Sequence, residues 1–237
     1  FEDVLNNFKA SYFAGALILN EKKLVGELKE LFSSEKWSSS EFLKLMLSYT
    51  NSAETFFQRL TNLLPKHFGI SDMFFLRFSR RLPSQRISLT KEYHIGSGYQ
   101  PRAHQDREHY CRRWISTDLL SEKNSGTTKS GITIGIQRNE FEETGAEHLV
   151  IAASNADPFN EDWKRSVCIG IGMNNRQKKK ISFESSQKIS RRVVGNTCER
   201  CSLQDCQERI SQPIILEKEQ TEKAIKEQVD SILGGSS

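Results

Sequence analysis

The spacing of the apolar residues changes at Gly69, and this change constrains the fold more than any other feature of the chain. Before Gly69, apolar side chains recur three or four positions apart, which is the period of an amphipathic helix. After it, segments such as "DMFFLRFSR" alternate their side chains between two faces, which is the period of a β-strand. The sequence therefore predicts a helical segment at 1–68, followed by a sheet domain at 69–237.

Capping residues mark the helix starts in the first segment. Asn20 precedes "EKKLVGELKELF", and Ser38 opens a capping-box pattern before "EFLKLML". A further helix is predicted to begin near Asn51 or Ser52 and to end at Pro65, because proline lacks the backbone N–H that a helix interior needs.

The helix after residue 51 could also be the second helix of a DNA-reading helix-turn-helix. Its only basic residue before Pro65 is Arg59, whereas a recognition helix offers several groups to phosphates and bases. Its Phe56, Phe57 and Leu60 recur at helical spacing. The pattern favours packing over DNA reading.

Six segments after Gly69 have strand character: "DMFFLRFSR", "QRISLTKEYHI", "GITIGIQRNEF", "EHLVIAASNA", "SVCIGIGM" and "RRVVGN". We expect them to form an antiparallel sheet, so the predicted fold class is α+β. The loop from Gly96 to Ser130 exceeds usual loop lengths, which indicates function or disorder. The last segment predicts a charged helix with a thin apolar stripe.

Composition indicates a globular chain, with 36% hydrophobic and 27% charged residues. There is no apolar run of membrane-spanning length and no secretory leader, and Phe1 is not an initiator, so we expect a cytoplasmic fragment of a longer protein. The net charge of +4 is too small to indicate nucleic acid by itself. Basic residues are concentrated between Lys164 and Arg200. Such a run usually forms a solvent-exposed surface, and the alternative is a binding site for an anion.

Cys198, Cys201 and Cys206 form a C-x2-C-x4-C run, which is typical of a metal or redox site in a reducing compartment. Zinc and iron–sulfur sites normally use four ligands, so the fourth must come from elsewhere. Cys168 lies in an apolar strand and is expected to be buried in the core. Cys111 lies in the polar stretch "HQDREHYCRRW", and we select it as the fourth ligand.

Two alternatives stay open on these residues alone. His104 or His109 could replace Cys111 in a zinc site of three cysteines and one histidine. The spacing matches neither of the common ferredoxin runs nor paired zinc ligands, so zinc and iron–sulfur are equally compatible with it.

No catalytic signature is present. The chain lacks H-E-x-x-H and G-x-S-x-G, and its short glycine pairs are not phosphate-binding motifs. We therefore expect a protein that is not an enzyme. A redox enzyme that uses a cluster for electron transfer is the rival interpretation, but the sequence offers it no substrate signature.

Several of these stretches resemble a family of bacterial transcription regulators that respond to short-chain fatty acyl-CoA, such as regulators of propionate catabolism. The resemblance is carried by "SYFAGALIL", "SAETFFQRLTNL", "FFLRF", "CRRW" and the terminal "CERCSLQDCQER". It covers nearly the whole chain, which is similar to the tail of the family's peptidase-like middle region plus its C-terminal sensory domain. The family usually has a "TCPLW"-like stretch where this chain has "YCRRW", so only Cys111 and Trp114 carry over there.

The resemblance implies a sensory domain of the general PAS/GAF kind that holds a 4Fe–4S cluster on Cys111, Cys198, Cys201 and Cys206. It also implies that the effector is a short-chain acyl-CoA. DNA would be contacted only through a helix-turn-helix domain that this chain lacks. The resemblance is also compatible with a homodimer. A zinc-stabilised interaction module is the alternative function.

An acyl-CoA pocket needs apolar walls and basic groups for phosphates. For the walls we predict Phe74, Phe75 and Phe78, although such residues are commonly plain core. For the phosphates we predict Arg77, Arg80 and Arg81, with Arg102 and Lys178 to Lys180 as alternatives.

Overall fold

A computed structural model describes residues 2–84, 86–101, 108–121, 130–157 and 159–234. Its helices are α1 (Glu2–Ile18), α2 (Glu21–Ser33), α3 (Ser39–Leu47), α4 (Ala53–Phe68), α5 (Ile115–Asp118), α6 (Asn175–Lys178) and α7 (Ile214–Gly234). Its strands are β1 (Met73–Arg81), β2 (Ile87–Ile95), β3 (Thr133–Phe141), β4 (Glu147–Asp157), β5 (Asn160–Gly172) and β6 (Ser190–Val194).

The strands form one six-stranded sheet in the order β2-β1-β5-β4-β3-β6. The α+β class and the mostly antiparallel sheet are confirmed. One pairing differs from the expectation, because β6 runs parallel to β3. The chain reaches β6 through α6 and a 3-10 turn at Ser182–Ser185 after leaving β5, and this connection crosses past β4 and β3.

The two faces of the sheet support two separate cores. Strand β1 shows this division, because Phe75 joins the core beneath α2, α3 and α4, whereas Phe74 and Phe78 join the core on the opposite face. Both faces of β1 are covered, so its residues are buried almost continuously. Trp114 and Cys111 lie in the second core, which places the segment from 108 to 121 on that face.

The predicted caps begin the helices as expected. Asn20 accepts from the Lys23 amide, and Ser38 accepts from the Glu41 amide. Ser52 begins α4 by accepting from the Thr55 amide. Each such cap is worth about 1 kcal/mol.

The predicted end of α4 at Pro65 is wrong, because the helix continues through this proline to Phe68. The flanking Leu64 is buried in the first core, and its carbonyl accepts from both the Gly69 and Ile70 amides. Gly69 has a φ of 60°, so the helix closes at a glycine in the left-handed conformation. Core packing and this closing turn offset the backbone bond that proline removes.

Most side chains of α7 are exposed to solvent, including those of Ile225, Val229 and Ile232. None of the helices in the described part of the chain combines the length and apolar character that a membrane crossing requires.

Candidate metal centre

A short antiparallel contact joins the stretch before Trp114 to the cysteine loop. Tyr110 and Thr197 form a β-bridge, the Cys111 amide donates to the Asn196 carbonyl at 3.0 Å, and the Cys198 amide donates to the His109 carbonyl at 2.8 Å. The pairing sets Cys111 beside the beginning of the C-x2-C-x4-C run, from which it is separated by 87 positions in sequence (198 minus 111).

Two buried carboxylates hold these segments together. Glu108 accepts from the Thr197 hydroxyl at 2.7 Å and from Arg200 Nε at 3.0 Å. In the opposite direction, Glu199 accepts from the His109 amide at 2.9 Å and lies 2.6 Å from His109 Nδ1. Because each segment supplies a carboxylate to the other, the contact is held by charge-assisted hydrogen bonds as well as by the backbone.

Trp114 fixes the same contact from the core side. Its indole Nε1 donates to the Gly195 carbonyl at 2.9 Å, and its ring packs on Phe78 and Phe141 in the second core. The Cys111 carbonyl accepts from the Thr117 hydroxyl at 2.7 Å. The backbone at Cys111 is therefore tied both to the cysteine loop and to the α5 turn.

The sulfurs of this region are withdrawn from solvent. Cys111, Cys198 and Cys201 are buried, and Cys206 is half-buried. Burial raises the pKa of the Cys111 thiol to about 12, and the nearby Cys198 and Cys201 act in the same direction. Burial also raises the pKa of Cys201, with a smaller contribution from Cys206 in the same direction. Each of the four cysteines therefore lies within electrostatic range of another, and an uncompensated thiolate is disfavoured here.

Backbone amides approach two of the four sulfurs, and an arginine binds the backbone of the loop. The backbone amides of Arg113 and Gly195 bond to the Cys111 sulfur, and the Leu203 amide bonds to the Cys201 sulfur. Arg209 donates to the Cys198, Cys201 and Leu203 carbonyls at 2.8, 3.0 and 2.6 Å. Amide donors aimed at cysteine sulfurs stabilise negative charge on thiolate ligands and tune iron–sulfur clusters.

The donor set fits an iron–sulfur cluster or a zinc ion in chemical kind. Binding of a cation would displace the thiol protons that burial now retains, as is general for thiolate ligands. Within the described residues, no three His, Cys, Asp or Glu side chains are already arranged to hold a metal ion. The cysteines are neighbours rather than a closed coordination shell.

The rival ligands lie in different surroundings. His109 is adjacent to the loop, but its Nδ1 is engaged by Glu199. His104 lies outside the described residues. Cys168 is fully buried on β5 in the second core, as its apolar context predicted.

The residues predicted for an acyl-CoA pocket do not converge. Phe74 and Phe78 are buried on one face of the sheet and Phe75 on the other, so they do not line a common cleft. Arg77 pairs with Glu54 at 2.9 Å on the helix-covered face.

The other predicted phosphate groups are dispersed. Arg80 is buried and donates to the Ser84 and Leu120 carbonyls at 2.7 and 2.8 Å, and Arg81 is exposed at the end of β1. Among the alternatives, Lys178 pairs with Glu147 and Lys180 donates to the Gly69 carbonyl. Arg102 lies outside the described residues.

The sequence did not predict four residues that support the cysteine loop, namely Glu108, Glu199, Arg209 and Gly195. A Cβ at Gly195 would lie 2.8 Å from Cys201 Sγ, so only glycine fits against that sulfur. The acids and Arg209 stand in a stretch crowded with charged residues, and nothing in their spacing distinguishes those that support the loop.

Comparisons with known protein families, with curated proteins and with solved structures found no match to this chain. The family membership and the PAS/GAF kinship stay predictions from the sequence.

Proposed function

We propose that this chain is the sensory part of a transcription regulator and binds a 4Fe–4S cluster through Cys111, Cys198, Cys201 and Cys206. The observation that carries the proposal is the pairing of residues 109–111 with residues 196–198. This pairing brings a sequence-distant cysteine to three clustered ones in a buried loop that is rich in amide donors.

A bound cluster supplies a link between the two segments that oxygen or nitric oxide can break. How firmly the two segments stay joined after loss of the cluster depends on the other contacts between them. Without sulfur ligation, the segments are joined by the backbone bridge and by Glu108 and Glu199. Trp114 and Arg113 also join them, by donating to the Gly195 and Val193 carbonyls. The contact is therefore weaker without a cluster, and its two states can bias a DNA-binding domain outside this chain by differential affinity.

The first test is to purify the protein without oxygen, record its visible spectrum, and assay iron, zinc and acid-labile sulfide. We expect a brown protein with about four irons and four sulfides per chain. A colourless protein with one zinc would contradict the proposal and favour a zinc-stabilised interaction module.

Cys111→Ala and Cys168→Ala form a matched pair of variants, because both remove a buried thiol from the second core. Cys111→Ala is expected to lose most of the iron or to change the oxygen sensitivity of the cluster. Cys168→Ala is expected to retain full iron content. Equal iron content and equal oxygen sensitivity in the two variants would exclude Cys111 as a ligand.

The effector that we propose is a short-chain acyl-CoA. Its support is the sequence resemblance, since the residues first predicted for its pocket lie on separate faces of the sheet. Calorimetry with propionyl-CoA, with free CoA as control, is the test. If the cluster-loaded protein does not bind propionyl-CoA, the sensor responds to its cluster without an acyl-CoA effector.

A further inference from the structure

The C-terminal helix α7 is attached to the rest of the structure near its beginning. It packs mainly on the short 3-10 turn Cys198–Arg200, which lies inside the cysteine run. Ile215 and Leu216 are half-buried, whereas the residues at 217–233 are all exposed. Because helices in proteins are stabilised chiefly by tertiary packing, the position of α7 depends on this attachment.

Arg200 makes the polar part of the attachment. Its Nη1 donates to Glu219 Oε1 of α7 at 2.7 Å. Its Nε and Nη2 donate to the two carboxylate oxygens of Glu108 at 3.0 and 3.3 Å, and the Glu108 side chain is 1% exposed. A buried carboxylate therefore fixes the guanidinium on one side, and the guanidinium holds α7 on the other.

The position of Arg200 is set by the cysteine run. The 3-10 turn begins at Cys198, and Cys201 follows its last residue, so two of the predicted ligands bracket Arg200. The turn is closed by a long hydrogen bond of 3.4 Å from the Cys201 amide to the Cys198 carbonyl, and by Arg209, which donates to both carbonyls. Ligation of the two sulfurs to one centre would add a constraint at each end of this turn.

Glu108 extends the connection to the other segment of the candidate metal centre. It lies three positions before Cys111 and accepts from the Thr197 hydroxyl at 2.7 Å as well as from Arg200. Arg200 therefore joins α7 to both of the segments whose pairing brings the cysteines together.

We propose that α7 is the output element of the metal centre, and that Arg200 transmits to α7, through Glu219, whether the cysteines are ligated. The inference rests on the proposed function in requiring a metal held by the cysteines, but it applies to zinc as well as to a cluster. When the metal is lost, the turn loses a constraint at each end, the contact between Arg200 and Glu219 loosens, and the exposed helix moves more freely.

Hydrogen–deuterium exchange on the whole chain, read by mass spectrometry of peptides from α7, is the measurement. The protein is compared as purified without oxygen and after removal of its metal with a strong chelator. Backbone amides exchange when their local structure opens, so a looser attachment speeds the exchange of α7. We expect exchange about threefold faster after metal removal, because a partly exposed ion pair makes a modest contribution.

Peptides from β4 and β5 are the internal reference, and we expect their exchange to be unchanged. Equal exchange of α7 with and without metal would overturn the proposal. An increase in β4 and β5 as large as that in α7 would also overturn it, because the response would then belong to the whole sheet.

Glu219→Gln and Glu222→Gln form the matched pair of variants. Both replace an exposed glutamate of α7, but Glu219 pairs with Arg200, whereas Glu222 pairs with Lys218 inside the helix. We expect α7 of Glu219→Gln to exchange at the faster rate even with metal bound and to lose most of its metal dependence. Glu222→Gln should respond to metal as the wild type does, and both variants should retain full metal content. If Glu219→Gln keeps the full metal dependence, Arg200 does not transmit it and the proposal is wrong.

The metal assay separates this inference from the proposed function. A zinc-loaded protein whose α7 exchanges faster after zinc removal would contradict the iron–sulfur sensor and support the coupling. An iron-loaded protein whose α7 does not respond to metal removal would overturn the coupling alone. A protein that binds neither metal would overturn both.

Discussion

His148 should make the stability of this protein fall on mild acidification. The residue lies on β4 opposite Gly172, with its ring centroid 5.2 Å from that of Phe74 and 5.5 Å from that of Phe141. Burial among these rings lowers the pKa of His148 from 6.5 to about 4, and the nearby Tyr99 backbone offsets only part of this effect.

The sign and size follow from proton linkage. Between the two pKa values the unfolded chain binds a proton that the folded chain rejects, so stability decreases as the pH falls from about 6.5 towards 4. With these two values, acidification from about pH 7 to about pH 5 costs about 2 kcal/mol. That is a large share of the stability of a typical domain.

The assay is urea unfolding at these two pH values for the wild type and for His148→Gln, whose side chain stays neutral. The pH window excludes the carboxylates of Glu54 and Glu199, whose pKa values are lowered below 4.5 and whose contributions are lost only at lower pH. We expect the pH-dependent loss to shrink by about 2 kcal/mol in the variant. An unchanged loss in His148→Gln would refute the assignment to His148.

Three further substitutions, with Gly26→Ala as a control for the first, test the fold by urea unfolding. Gly170→Ala should destabilise by about 1–3 kcal/mol, because its new methyl group would overlap the Phe74 ring, whereas Gly26→Ala, which meets open space, should not destabilise. Ser52→Ala should cost about 1 kcal/mol through loss of the α4 cap, and an unchanged midpoint would show that the cap is energetically silent. Gly69→Ala should cost about 1 kcal/mol, because alanine disfavours a φ of 60°, and a stabilised variant would contradict this reason.

Local patterns predicted the elements well because they encode which side of each element is buried. The alternation in "DMFFLRFSR" and the helical spacing around Phe56 both report burial directly. The parallel placement of β6 beside β3 depends on a connection through α6, which no local pattern encodes. The predicted helix end at Pro65 is wrong because the local cost of this proline is offset by the buried Leu64 and the turn at Gly69.

The candidate sites show the same limit. Polar context selected Cys111, but the bridge between Tyr110 and Thr197 that brings it to the cysteine loop is a long-range pairing. The predicted ligand pocket combined Phe75 with Phe74 and Phe78. Side chains alternate between the two faces of a strand, so Phe75 lies on the opposite face from the other two and cannot share a pocket with them.

The candidate metal centre is attached to one face of the sheet, where Glu108, Glu199 and Trp114 hold the two segments that carry the cysteines. The helices α2, α3 and α4 cover the opposite face. The two faces meet in β1, where Phe75 and Phe74 are adjacent in sequence but belong to opposite cores. Any coupling between the cysteine loop and these three helices therefore has to pass through the sheet, and by reciprocity a change on either side would affect the other by the same factor.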